Sequence, residues 1–315
     1  MTRTKILIDC DPGHDDAVAI LYAARHLDLV GVTTCHGNNT IGNVTRNALS
    51  VLTLGGIAAP LAQGCGDPLI GRRVPANNAH GSTGMDGTDL PAPDRLPVAA
   101  HAVDFLIDMA RTHKGELVLA VIGPATNVAL AIKKEPRFAS WLREISVMGG
   151  SAGVGNVTPV AEFNVWSDPE AAAELFGCGA PIRMAGYNVT SRTGTNEADI
   201  ARLLPGPRVA RHVGELLRFY LGKQRQRLGF DIAPLHDVCA IVPYVQAGLI
   251  EYRHCHVDVE LNGRLTRGMT VCDLRTLTPA RRSEGGAGEA NAHLAIRSEA
   301  QRLIDHVVST LLSYP

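Results

Sequence analysis

Four aspartates fall within eight positions near the start of the chain: Asp9, Asp11, Asp15 and Asp16, in the stretch KILIDCDPGHDDAVAI. Carboxylates are costly to crowd, because like charges repel, and costly to bury, because water solvates the charged form best. Together they make an all-oxygen donor set, which suits a hard cation. Calcium takes about six to eight oxygens in irregular geometry, whereas zinc would favour His and Cys. A plainer use is that Asp15 and Asp16 cap a helix while Asp9 accepts hydrogen bonds at a strand end. Capping needs only one or two acids.

The flanking pattern places these side chains. KILIDC is an apolar run that reads as a buried strand, and side chains alternate along a strand, so Asp9 and Asp11 face the same way. Both fall at the strand's carboxyl end, where open α/β sheets hold their ligands. Pro12 and Gly13 make a tight turn. Asp15 and Asp16 then open a helix, DDAVAILYAARHL, with Ala17, Ile20, Leu21 and Ala24 on one face. The helix N-terminus favours anions. Successive helical residues point about 100° apart, so one of the pair can hold a cation while the other faces a substrate.

The same alternation of strand and helix continues along the chain. LVGVTTCH reads as a strand, followed by a helix from Asn43 to Leu54 that a Gly-Gly pair stops. LVLAVI precedes a helix in PATNVALAIKKE, EISVMGG precedes one in DPEAAAELFG, and PIRMAG closes the series. That order predicts a single α/β domain over residues 1–315, with a mostly parallel, Rossmann-like central sheet flanked by helices. The stretch from Cys65 to Pro97 is rich in Gly, Pro and Asn, and a connection that long is commonly functional. Beyond Asn196 the pattern is helical. Strands in CHVDVEL, GMTVCDL and AHLAIR come next, then a closing helix, and RRSEGGAGEAN reads as a mobile loop.

Composition narrows the function classes. The 315 residues carry 30 basic and 31 acidic side chains, a formal net charge of -1, and are 45% hydrophobic. That balance predicts neither a nucleic-acid nor a membrane partner. The densest basic stretches, Lys223 to Arg227 and Arg281–Arg282, read as solvated surface. No window approaches the roughly 18 uninterrupted apolar residues of a membrane span, and the N-terminus has no apolar signal core. Seven cysteines, an odd number with no C-x-x-C pair, argue against a disulfide framework or a zinc site. The expectation is a cytoplasmic protein with reduced thiols.

An apolar strand ending in D-x-D also resembles the start of a haloacid-dehalogenase-type phosphatase, with Asp9 as nucleophile and magnesium bound. The Asp15–Asp16 doublet is more than that chemistry needs. Asp9 to Asp16 instead match in full the opening D-[TC]-D-P-G-x-D-D of the inosine–uridine-preferring nucleoside hydrolases. Further blocks of that family recur in order: HGNNT around Asn38, AHGSTGMDG around His80, VIGPATN around Ile122, GNVTPVAEFNVWSDPEAA from Gly155 and PLHDVCAI around Asp237. The resemblance covers nearly the whole chain and weakens after about Asp273.

The resemblance implies a calcium-dependent enzyme of the nucleoside hydrolase fold that splits ribonucleosides, purine or pyrimidine, into base and ribose, as in nucleoside salvage. Asp11, Asp16, Asp237 and the backbone carbonyl of Ile122 would ligate calcium, and Asp9 would stand behind them. Asp15 matches the base that deprotonates a water on the metal. Asn38, Asn156, Glu162 and Asn164 match ribose-binding residues, and Met148 and Phe163 could wall the ring. His236 and His80 match histidines near the leaving base, candidates both to bind and to protonate it. Glu162 and Asn164, two apart, are expected on one face of an extended segment. Family members assemble as dimers or tetramers, so a homo-oligomer, here a homotetramer, is expected.

The base end departs from the pattern. Pyrimidine-preferring members carry a Gln and a Tyr four residues apart on one helix, whereas this chain has Gln224 and Leu228, with Tyr220 one turn before Gln224. Two other classes remain open: the phosphatase, and a ribose- or nucleoside-binding protein without turnover.

Overall fold

The computed structural model describes residues 3–74, 79–275 and 288–315. Eight strands form the central sheet: β1 Lys5–Cys10, β2 Asp28–Thr34, β3 Leu61–Gln63, β4 Val118–Val121, β5 Glu144–Met148, β6 Ile182–Ala185, β7 Ile250–Cys255 and β8 Ala292–Ser298. Their spatial order is β3-β2-β1-β4-β5-β6-β8-β7. Every neighbouring pair is parallel except β8 and β7. The predicted mostly parallel α/β sheet is therefore present.

Alternation along β1 builds the two layers. Ile6, Ile8 and Cys10 join the apolar cluster on one face of the sheet, while Leu7 joins the cluster on the other. A strand buried on both faces is apolar on both, which is why Ile6 to Ile8 show no polar alternation, with Asp9 the buried exception. The helix His14–His26 is buried over its first ten residues, His14 to Ala23, rather than along one stripe. It is enclosed because Ile41–Leu54, Arg208–Leu228 and Ala300–Leu312 all pack around it.

The chain runs from β1 outward through β2 to β3, then returns to the other side of β1 for β4. The connections leaving β1 and β4 therefore diverge, and such a switch point opens a crevice at the carboxyl ends of the strands. The long connection after β3 has no regular element over 64–74 and 79–97, as expected from its composition. All seven cysteines are unpaired. No helix is long and apolar enough to cross a membrane among the described residues. Of the loop expected at 281–291, residues 281–287 lie outside the described residues, as do Arg281 and Arg282.

Candidate active site

The crevice at the switch point holds a cleft of about 820 Å³, solvent at its mouth included. Each central strand delivers a residue from its carboxyl end: Asp11 after β1, Asn38 after β2, Ile122 after β4, Met148 at the end of β5 and Tyr187 after β6. The segment before the short helix Val238–Ile241 adds His236 and Asp237.

Acidic oxygens crowd the floor. Asp11, Asp15, Asp16 and Asp237 are each at most 5% exposed. Oxygens of Asp15, Asp16 and Asp237 lie within 4.8 Å of one another. Asp11 is tied to the same group, since its backbone N–H donates to Asp16 Oδ1 at 3.3 Å. The Gly13 N–H donates to Asp16 Oδ2 at 2.9 Å, and the Asn38 N–H to Asp11 Oδ2 at 2.7 Å. None of these acids forms an ion pair with Lys or Arg among the described residues. Burial, with added repulsion from neighbouring carboxylates, raises the pKa of Asp11, Asp15 and Asp237. Burial also pushes Asp16 up to about 6. Among the described residues no basic side chain pairs with the floor, and its all-oxygen donors fit a hard divalent cation.

Asp9 is a different case. It does not line the cleft. Its Oδ1 accepts from the Thr33 hydroxyl at 2.6 Å and from Asn127 Nδ2 at 2.8 Å, and its buried Oδ2 has no partner among the described residues. The expectation that Asp9 and Asp11 share a direction fails because β1 ends at Cys10, so alternation does not extend to Asp11. Asp9 braces β1 against β2 and the helix Thr126–Lys134, which begins just after the Ile122 segment.

Glu162, Phe163 and Asn164 all line the cleft, but not on an extended segment. Phe163–Ser167 is a short helix and Glu162 is its N-cap, taking N–H groups of Asn164 and Val165. Glu162 Oε2 also accepts from the Gly150 N–H at 2.8 Å. Capping by a carboxylate satisfies amides that would otherwise be orphaned, and this local gain overrides the strand-like spacing. Burial nevertheless pushes Glu162 up to about 7, its backbone hydrogen bonds opposing. Asn164 Nδ2 donates to the carbonyls of Ile122 and Met148, both at 3.0 Å, and so ties β4 to β5. Asn156, which is exposed, accepts from the Phe163 N–H at 2.9 Å.

The opposite end of the cleft is aromatic. His236 Nδ1 sits 2.8 Å from the Thr190 hydroxyl, and burial pushes this histidine down to about 4. His80 Nδ1 sits 2.8 Å from His14 Nδ1, and burial holds His80 well below the usual imidazole range. Tyr220 stacks on His80 with ring centroids 5.1 Å apart. Gln224, Arg227, Leu228 and Phe230 complete this end, and Gln224 Oε1 is buried without a partner among the described residues. Tyr220 thus reaches the cleft alongside Leu228. Sequence reading missed Tyr187, Arg227, Phe230 and His14. Tyr187 had a signal, since it directly follows a strand end, and His14 lies inside the aspartate motif.

The sequence profile of the inosine-uridine preferring nucleoside hydrolases matches residues 6–305. A protein of Shewanella oneidensis named pyrimidine-specific ribonucleoside hydrolase RihA is 40% identical, over 98% of this chain and 96% of that protein. One of the same name from an Enterobacter strain is 39% identical over 98% of each. Among solved structures, a plant nucleoside hydrolase superposes with a TM-score of 0.90 at 30% identity, covering 99% of both chains. A purine-preferring ribonucleoside hydrolase from Gardnerella vaginalis gives 0.89 at 27% identity, covering 98% of both. With its motifs gathered in one cleft and its fold shared throughout, the chain belongs to the inosine-uridine preferring nucleoside hydrolase family.

Proposed function

We propose that the chain hydrolyses the N-glycosidic bond of ribonucleosides, releasing base and ribose, with calcium at the acidic floor of the cleft. The observation that carries this is a floor of buried carboxylates without a basic partner among the described residues. Asp11, Asp16, Asp237 and the Ile122 carbonyl would hold the ion. That carbonyl accepts one hydrogen bond, from Asn164, and has a second lone pair to offer. Calcium bound there would supply a Lewis acid for water and sugar hydroxyls.

The chain's own groups do the rest. Asp15 takes the proton of the attacking water. Asn38, Asn156, Glu162 and Asn164 orient the ribose, and Phe163 and Met148 wall it. The acidic floor favours the positive charge that develops at the anomeric carbon. His236 and His80 stand at the leaving base, and a proton on the Nε2 of either would reach it. With the Thr190 hydroxyl donating to Nδ1, a neutral His236 carries that proton on Nε2, and a neutral imidazole can serve as a donor.

Two relatives named pyrimidine-specific support pyrimidine ribonucleosides as the first substrates, with purine ones accepted by the same ribose contacts. Assembly as a dimer or tetramer and a place in nucleoside salvage belong to the same reading. A phosphatase of the D-x-D type is disfavoured because Asp9, its nucleophile, is walled off from the cleft. The test is product analysis after incubation with uridine in phosphate-free buffer. Equimolar uracil and free ribose are expected. Intact uridine would overturn the assignment in favour of a binding protein.

A further inference from the structure

His14 lies inside the aspartate motif yet does not line the cleft. It is fully buried, and its two ring nitrogens have one partner each. Nε2 sits 2.8 Å from the backbone carbonyl oxygen of Asp86, and Nδ1 sits 2.8 Å from His80 Nδ1. The ring is stacked on Phe219 and Tyr220, at 5.6 and 5.3 Å between centroids, with interplanar angles of 12° and 6°. His80 is itself stacked on Tyr220. The edge of His80 that carries Nδ1 presses on bare backbone, since a Cβ at Gly13 would meet that nitrogen at 2.7 Å.

The hydrogen-bond arithmetic then has one solution for neutral rings. A carbonyl oxygen only accepts, so His14 Nε2 carries the proton. No carboxylate is bonded to either nitrogen of this buried ring, so it has no partner to hold a second proton, and Nδ1 offers a lone pair. The short contact to His80 therefore needs a proton on His80 Nδ1. The backbone N–H of His14 also points at this atom, at a longer 3.2 Å; it is the contact given up, and the cost of leaving a buried first-turn donor without an acceptor is less than that of two lone pairs facing each other at 2.8 Å. His80 Nε2 has no protein partner among the described residues and is left to the cleft as a lone pair.

We propose that His14 is a positioning residue that locks His80 in its Nδ1–H tautomer, so that His80 presents a fixed acceptor and the cleft selects nucleobases with an N–H at that edge. Uracil, with its N3–H, and cytosine, with its amino group, both meet this demand. Gln224 beside it bonds the Tyr220 hydroxyl and leaves its amide oxygen to the cleft, and His80 cannot change roles while His14 faces it. Proton delivery to the leaving base falls to His236. The choice of nucleobase as ligand rests on the hydrolase reading above; the tautomer does not.

The test is nitrogen-15 NMR of the calcium-loaded protein with labelled histidine, His80 being assigned by its loss in H80Q. The wild type should show His80 protonated at Nδ1 and bare at Nε2, whether or not it turns over any nucleoside. His80 protonated at Nε2 would overturn the proposal. H14F keeps the ring stack and removes both nitrogens, and should return His80 to the Nε2–H form. Steady-state kinetics should then show the preference for uridine over N3-methyluridine, measured as kcat/KM, falling about tenfold, mostly through KM. The added methyl group is the same for both proteins, so the change reports the hydrogen bond. An unchanged preference in folded H14F would rule out the specificity role.

Discussion

The two ends of the cleft are built on different principles. The floor is a set of carboxylates at strand ends and one helix start, held by backbone N–H groups at fixed positions. The far end is a stack of rings drawn from a helix, a long connection and the motif itself. Charge defines the first and stacked rings define the second. Any ribonucleoside presents the same diol, whereas bases differ, so on the proposed reading the floor sets the reaction and the aromatic end sets the substrate.

Changes on the floor should therefore abolish turnover for every substrate alike. Asp15→Asn removes the proposed base and should lower kcat about 10²–10⁴-fold for uridine and inosine equally. Ribose-release assays on both check this, and a loss confined to one substrate would blur the distinction between the ends. Asp11→Ala should reduce calcium-dependent activity at least as far and weaken calcium binding, read by calorimetry. Full activity in that variant would remove Asp11 from the metal site.

At the aromatic end the losses should depend on the leaving group. His236→Ala should slow uridine by about 10²-fold or more, yet barely affect a nitrophenyl riboside, whose leaving group needs no proton. Equal loss on both would argue against an acid role. Leu228→Tyr restores the side chain that pyrimidine-preferring members carry. It should move the uridine-to-inosine ratio of kcat/KM by about tenfold, with little change in either kcat.

The smallest expected effect is on stability. A calcium ion bound only by the folded floor should raise Tm by several degrees at about 100-fold excess over Kd, where binding contributes roughly 2.7 kcal/mol. Thermal melts with and without chelator measure it. No shift would leave the buried acids without a counter-charge.

The same contrast explains what the sequence made legible. The parallel sheet followed from the strand–helix alternation, and Asp11, Asp15 and Asp16 from one contiguous motif whose neighbours in space are neighbours in the chain. Asp237 was reached only through the family blocks, since nothing local to PLHDVC marks it. Glu162 was placed on an extended segment because its capping bonds, made to Gly150 as well as to its own helix, depend on the fold. Asp9 and Asp11 part because the strand ends at Cys10, as the KILIDC pattern has it, and side-chain alternation does not carry past that end. His14 was hidden for a related reason. Its meaning depends on His80, 66 residues away, and on the Asp86 carbonyl, contacts that no spacing encodes.

The most direct test of the account is ribose release from uridine, cytidine, inosine and adenosine, each with and without a calcium chelator. The account predicts release that the chelator abolishes and added calcium restores, with the pyrimidine nucleosides fastest. Release that persists undiminished under the chelator would contradict a catalytic cation on the acidic floor.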